Sequence, residues 1–221
     1  MRTEELIRSI AADAKPLRRL ASPLHRLVLW LVPTLAVSAT IVYMMGLRLD
    51  IGQKMQETKF LVELAATTAT GILAGLAALC SGYPGRPLWE RAAPLPPLAL
   101  WLGSLGEGCW QSIVRRSEDG TLLMPDLICF PAILLVGTVP ALLLFWMVRR
   151  AAPIAPVTTM ALTALAASAI GAAALRLFHP QDASLMVLVW QFGSVALLTL
   201  MASLFGRRLL RWPEALVAKT K

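Results

Sequence analysis

Charge is scarce in this chain. Only 15% of its 221 residues are Lys, Arg, Asp or Glu, against about a quarter in an ordinary soluble domain. Histidine is scarcer still: His25 and His179 are the whole supply, too few and too far apart in sequence for a metal-ligand cluster. There are three cysteines and no CxxC pair. No Walker A loop, HExxH or GxSxG motif occurs, so the common signatures of nucleotide, zinc-peptidase and serine-hydrolase chemistry are missing. An enzyme is not expected, and neither a cofactor nor a metal is indicated by the motifs.

What fills the chain instead is apolar. Hydrophobic residues make up 57% of it and the mean hydropathy is +0.66. Runs of about 20 apolar residues are long enough to cross a bilayer as helices. Five are clear: Leu27–Leu47, Phe60–Cys80, Leu127–Val148, Pro153–Leu175 and Ala183–Gly206. A sixth, between Arg91 and Glu107, is short and opens with the proline-rich APLPPL. It spans if Leu88 and Trp89 lie at one interface and Trp110 at the other. The expectation is therefore an all-α, polytopic membrane protein of six transmembrane helices, with five as the competing count. The polar, charged stretch before the first run is too long for the n-region of a signal peptide, so the first helix is expected to stay as an anchor.

Lys and Arg favour the cytoplasmic side of a multi-span protein. With six spans, fifteen of the 21 basic residues fall on the side of the two termini and six on the other. This bias predicts N-in and C-in topology in a bacterial inner membrane. It divides the chain into a cytoplasmic arm (residues 1–26), a membrane domain (27–206) and a basic tail (207–221). The net charge of +8 then serves topology and anionic lipid head groups. Without basic stripes interleaved with aromatics, direct nucleic-acid binding is not expected.

Cys80 falls at the cytoplasmic end of the second span, while Cys109 and Cys129 flank the loop between the third and fourth on the opposite side. An oxidising compartment there permits a disulfide between the latter two. A redox- or metal-responsive pair, with His179 of the next loop nearby, is a second reading, and two small buried residues at helix ends, common for free cysteine, a third. Glu63 is the one clear ionisable residue inside a span, and Lys59 lies four residues before it on the same helix face. Gly71 and Gly75 form a GxxxG on the same span, a pattern of close helix packing.

The arm carries the most specific pattern. Glu4 and Glu5 suit a helix N-terminus, Lys15 suits a C-terminus, and Pro16 ends the run. Leu6, Ile7, Ile10 and Ala14 share one stripe of that helix, and Leu17 and Leu20 extend the apolar set. About twelve residues of helix are marginal in water, so this one must dock. Acids in its first turn and no aromatic on its apolar face suit a bilayer surface poorly. A partner's groove suits it better.

The segment LIRSIAADAKPLRRLASPLHRLVLWL, residues 6–31, resembles the N-terminus of the NrsF family, membrane-embedded anti-sigma factors that negatively regulate sigma factor F. Leu6, Ile7, Pro16, Leu17, Arg18 and Leu20 carry the likeness. Gly108–Trp110, Cys129, the junction RRAAPIAP and the stretch FHPQDASLMVLVWQFG (Phe178–Gly193) continue it in the same order. The resemblance implies that the arm holds an extracytoplasmic-function sigma factor at the membrane, away from core RNA polymerase. A periplasmic or membrane signal would release it. The family commonly has a Cys directly after the His of its last loop; here Pro180 follows His179, which leaves Cys109 and Cys129 as the candidates for sensing. The alternative is a small polytopic transporter or channel subunit, with Glu63, Thr67, Thr68, Thr70 and Gln191 as the material for a polar path.

Overall fold

The computed structural model describes residues 3–12, 20–115, 129–151, 155–179 and 193–210. Among them there is no strand; the elements are α1 (Thr3–Ala12), α2 (Pro23–Met45), α3 (Ile51–Lys54), α4 (Thr58–Cys80), α5 (Trp89–Ala92), α6 (Leu95–Arg115), α7 (Cys129–Arg149), α8 (Pro156–Phe178) and α9 (Gly193–Leu209). Among the described residues, four helices are long and apolar enough to cross a membrane: α2, α4, α8 and Pro131–Arg149 of α7. The apolar part of α9, Gly193–Gly206, is shorter. The proline-rich segment opens a helix of 21 residues, about 31 Å at about 1.5 Å per residue. Its prolines, Pro96 and Pro97, sit in the first turn, where a missing N–H costs nothing.

Local signals set the ends of α2. The Ser22 hydroxyl accepts from His25 N at 3.3 Å, Pro23 occupies the first turn, and Gly46 closes the helix at φ 82°, a backbone region that suits glycine.

The helix α8 is the centre. It packs against α2, α4, α7 and α9, and 72% of its apolar window is buried, against 28% for α2. Its composition allows this. Ala166, Ala169, Ala172, Ala173 and Gly171 present almost no side chain, so neighbouring backbones come close. A Cβ added to Gly171 would lie 2.8 Å from the carbonyl oxygen of Ile133 on α7.

The peripheral helices keep a broad apolar outer face. Leu24, Val28, Val32 and Leu35 on α2 and Leu200, Leu204 and Phe205 on α9 are exposed. A contiguous surface of this kind requires an apolar surrounding, and the bilayer supplies it.

Candidate functional site

The arm helix α1 places Glu4 and Glu5 in its first turn, against the positive end of its dipole. Its described side chains, Thr3, Glu4, Glu5, Ile7, Arg8, Ala11 and Ala12, are all exposed. Ile7 is 60% exposed and Leu20, beside the entry to α2, 40%. Of the remaining stripe residues, Leu6 and Ile10 lie on α1 with their side chains outside the description, and Leu17 lies outside the described residues.

The start of α2 is clipped to the bundle in three places. The Tyr83 hydroxyl donates to the Ala21 carbonyl, just ahead of α2. The buried Arg26 guanidinium donates through Nη2 to the carbonyl of Met147. That carbonyl is in the last turn of α7, where it has no partner within its own helix. One turn further on, Trp30 is fully buried and its indole N–H donates to the Pro140 carbonyl at 2.9 Å. Across from it lies Gly75 on α4; a Cβ there would sit 2.7 Å from Cζ3 of Trp30. Thus Trp30 is wedged between α4 and α7, and both glycines of the GxxxG are used inside the subunit, Gly71 facing Ile170 of α8. Ser81 Oγ and Thr159 Oγ1, 2.7 Å apart, tie the end of α4 to the start of α8.

The opposite, arm-distal end of the bundle is polar. Glu63 is 3% exposed, and its carboxylate accepts from Nη2 of Arg176 on α8. Arg176 reaches it from α8 across the helix interface, a partner that the spacing within its own helix does not reveal. The Arg176 guanidinium also lies over the Phe60 ring at 5.3 Å, and Arg48 over the same ring at 5.9 Å. Such contacts stabilise desolvated cations. Arg48 holds Asp50 through two bonds of 2.7 and 2.8 Å, and its backbone N–H donates to Leu177 O at 3.1 Å, fastening the loop after α2 to α8. The hydrogen bonds from Arg48 hold the Asp50 carboxyl below the usual carboxylate range. The bonded form is therefore complete above about pH 4 and is lost only as pH falls through that lowered value.

The threonines proposed for a polar path face their own helix. Thr67, Thr68 and Thr70 donate to the carbonyls of Glu63, Leu64 and Ala66 at 2.6, 2.8 and 2.8 Å; Gln191 lies outside the described residues.

The sensing candidates are placed by their backbones only in part. Cys109 falls on α6 and Cys129 opens α7, with both side chains outside the description, while half-buried His179 ends α8 and donates its backbone N–H to Leu175 O at 2.8 Å. Among the described residues Cys80 is a buried free thiol, 3.6 Å from Arg86 Nη2. No group of three His, Cys, Asp or Glu that could hold a metal occurs among the described residues.

A family model described as NrsF, negative regulator of sigma F, matches residues 10–212. No curated protein and no solved structure matches the chain.

Proposed function

Because the chain belongs to the NrsF family of negative regulators of sigma F, we propose that it is a membrane anti-sigma factor that captures an extracytoplasmic-function sigma factor on its N-terminal arm. The observation that carries this reading is the exposed helix α1, with Ile7 uncovered on it and Leu20 uncovered ahead of α2, joined to an α2 whose start is clipped to the bundle. A short amphipathic helix is marginal alone and gains its stability from a partner's groove. In this reading Leu6, Ile7, Ile10, Leu17 and Leu20 form the binding face.

The same reading places the arm in the cytoplasm, with six spans, N-in and C-in, in the bacterial inner membrane. It takes α6 and the segment around α9 as the two spans beyond the four apolar ones. Release follows a signal at the membrane or the periplasmic side, with Cys109, Cys129 and His179 as candidates for receiving it. The lever is α2, because Arg26 and Trp30 connect the root of the arm to α7 and α4. Any shift of those helices against each other is then passed to the arm. An alternative life as a transporter or channel subunit draws less support, since Glu63 is held by Arg176 and the three threonine hydroxyls by their own helix.

Deleting residues 1–22 tests the reading. Transcription from the sigma factor's own promoters should rise to the level of a strain lacking the whole protein, while the membrane domain still accumulates. Unchanged transcription, with the truncated protein present at normal level, refutes an arm-based mechanism.

A further inference from the structure

We propose that the cavity between α2, α4 and α8 binds a lipid-soluble molecule with a carbonyl group, which accepts a hydrogen bond from the Ser38 hydroxyl. The cavity holds about 740 Å³, within the roughly 300–1,000 Å³ of small-molecule sites. The buried stripe of α2, Trp30, Thr34, Ser38 and Val42, makes room for it. At the arm end Trp30 fills the gap to Gly75 of α4; further along, Thr34 and Ser38 are too small to do so. The facing walls add little bulk, with Ala173 and Ala174 on α8 and Thr68 on α4. Leu35, Tyr43 and Leu47 also line the cavity and are more than half exposed, so it opens sideways, toward the bilayer.

Polarity selects the ligand. Among the described residues no charged side chain lines the cavity, and its polar side chains are Ser38, Tyr43 and Thr68. Buried hydroxyls elsewhere in the bundle donate to a carbonyl of their own helix: Thr67, Thr70 and Thr163 do so at 2.6, 2.8 and 2.8 Å. Thr68 Oγ1 does the same toward Leu64 O. Ser38 is 7% exposed, yet its hydroxyl has no hydrogen-bond partner among the described residues. A buried donor left unpaired costs free energy, and a serine O–H turns to suit the acceptor that arrives. Tyr43 lies in the last turn of α2, at the membrane boundary, where water satisfies a phenol.

Depth sets this ligand apart from a phospholipid tail. Ser38 lies two turns inside the arm-distal end of α2, roughly 10 Å into the span. Phospholipid tails are hydrocarbon at that depth and carry no acceptor. A molecule with an apolar body and its own carbonyl makes a bond there that a tail does not. Its body stands between α2 and the pair α4 and α8, beyond Trp30 as seen from the arm. As a signal input this rests on the anti-sigma reading, since α2 carries the arm; as a binding site it does not.

Photolabelling of the full-length protein in dimyristoyl-phosphatidylcholine nanodiscs tests the site. Deuterated benzophenone, an apolar ketone that inserts into C–H bonds when irradiated, is the label, and mass spectrometry locates it. Ordinary benzophenone and diphenylmethane, nearly the same shape without the carbonyl, are the competitors. Labelling of Leu64 on α4 and Leu177 on α8 should saturate. Diphenylmethane should compete about fivefold less well than benzophenone, the worth of one neutral hydrogen bond. In Ser38→Ala the two competitors should become equal. Ala39→Phe, at an exposed position on the cavity wall, should suppress the labelling. The proposal is overturned if labelling of Leu64 and Leu177 rises without saturation, as on the outward Leu200 and Leu204 of α9; phospholipid tails are then the occupant. It is equally overturned if diphenylmethane matches benzophenone on the wild type, or if the advantage of the carbonyl survives Ser38→Ala. No sigma factor is present, so the outcome leaves the capture of one untouched.

Discussion

Gly75→Leu is expected to dislodge Trp30 and destabilise the bundle by about 1–3 kcal/mol, the usual cost of overpacking a filled core. The Cβ alone would stand 2.7, 3.1 and 3.3 Å from three atoms of the indole. The ring has nowhere easy to go. It is fully buried, and its N–H is spent on Pro140 of α7. The strain must therefore move α2 away from α4, and α2 carries the arm. Unfolding of the protein in micelles, followed by tryptophan fluorescence, reads the stability change. Trp30→Phe is the companion: it keeps an aromatic at the wedge but loses the hydrogen bond, about 1 kcal/mol, together with part of the buried ring's packing. If Gly75→Leu unfolds with the wild-type profile, the wedge is not the contact that holds α2.

Arg176→Met is expected to destabilise the bundle by about 3–5 kcal/mol, because it leaves the Glu63 carboxylate buried without its cation. Glu63 has a side chain 4% exposed, so water cannot take over the role of Arg176. The double variant Glu63→Met/Arg176→Met should recover most of that loss, since a well-packed apolar pair replaces a buried ion pair at little cost. A double-mutant cycle on the same unfolding measurement checks this. Simple additivity of the two single effects would show that the two side chains do not depend on each other.

The four long apolar helices were legible in the sequence to within a few residues. Runs expected at Leu27–Leu47 and Phe60–Cys80 became Pro23–Met45 and Thr58–Cys80, because polar residues, prolines and glycines bound them on both sides. The third run was harder. Its prolines read as a broken start, yet they occupy the tolerant first turn, and the helix continues to Arg115, well past the expected end at Glu107. The arm helix was foreseen from its acids and its apolar stripe, and α1 starts at Thr3, one residue before Glu4.

Pairings between distant segments were not legible. Glu63 and Arg176 stand 113 residues apart, and periodicity within one helix says nothing about which residue of another will face it. Arg176 lay one residue past the expected end of its span, so it read as a loop charge. Its place on the small-residue face of α8, four residues after Ala172, is the one signal that it turns inward. Trp30 was hidden for the same reason: an aromatic near a span end reads as an interfacial anchor, and only the bare backbone at Gly75 makes room for it inside.

The most direct test of the account compares full-length wild type with Leu6→Asp/Ile10→Asp, each affinity-purified from membranes of the native host in mild detergent, with the retained proteins identified by mass spectrometry. The two substitutions put carboxylates into the apolar stripe of α1 and leave the membrane domain unaltered. The account predicts a sigma factor retained by the wild type and lost from the variant. Equal retention by both, or a wild type that retains no sigma factor, would contradict it.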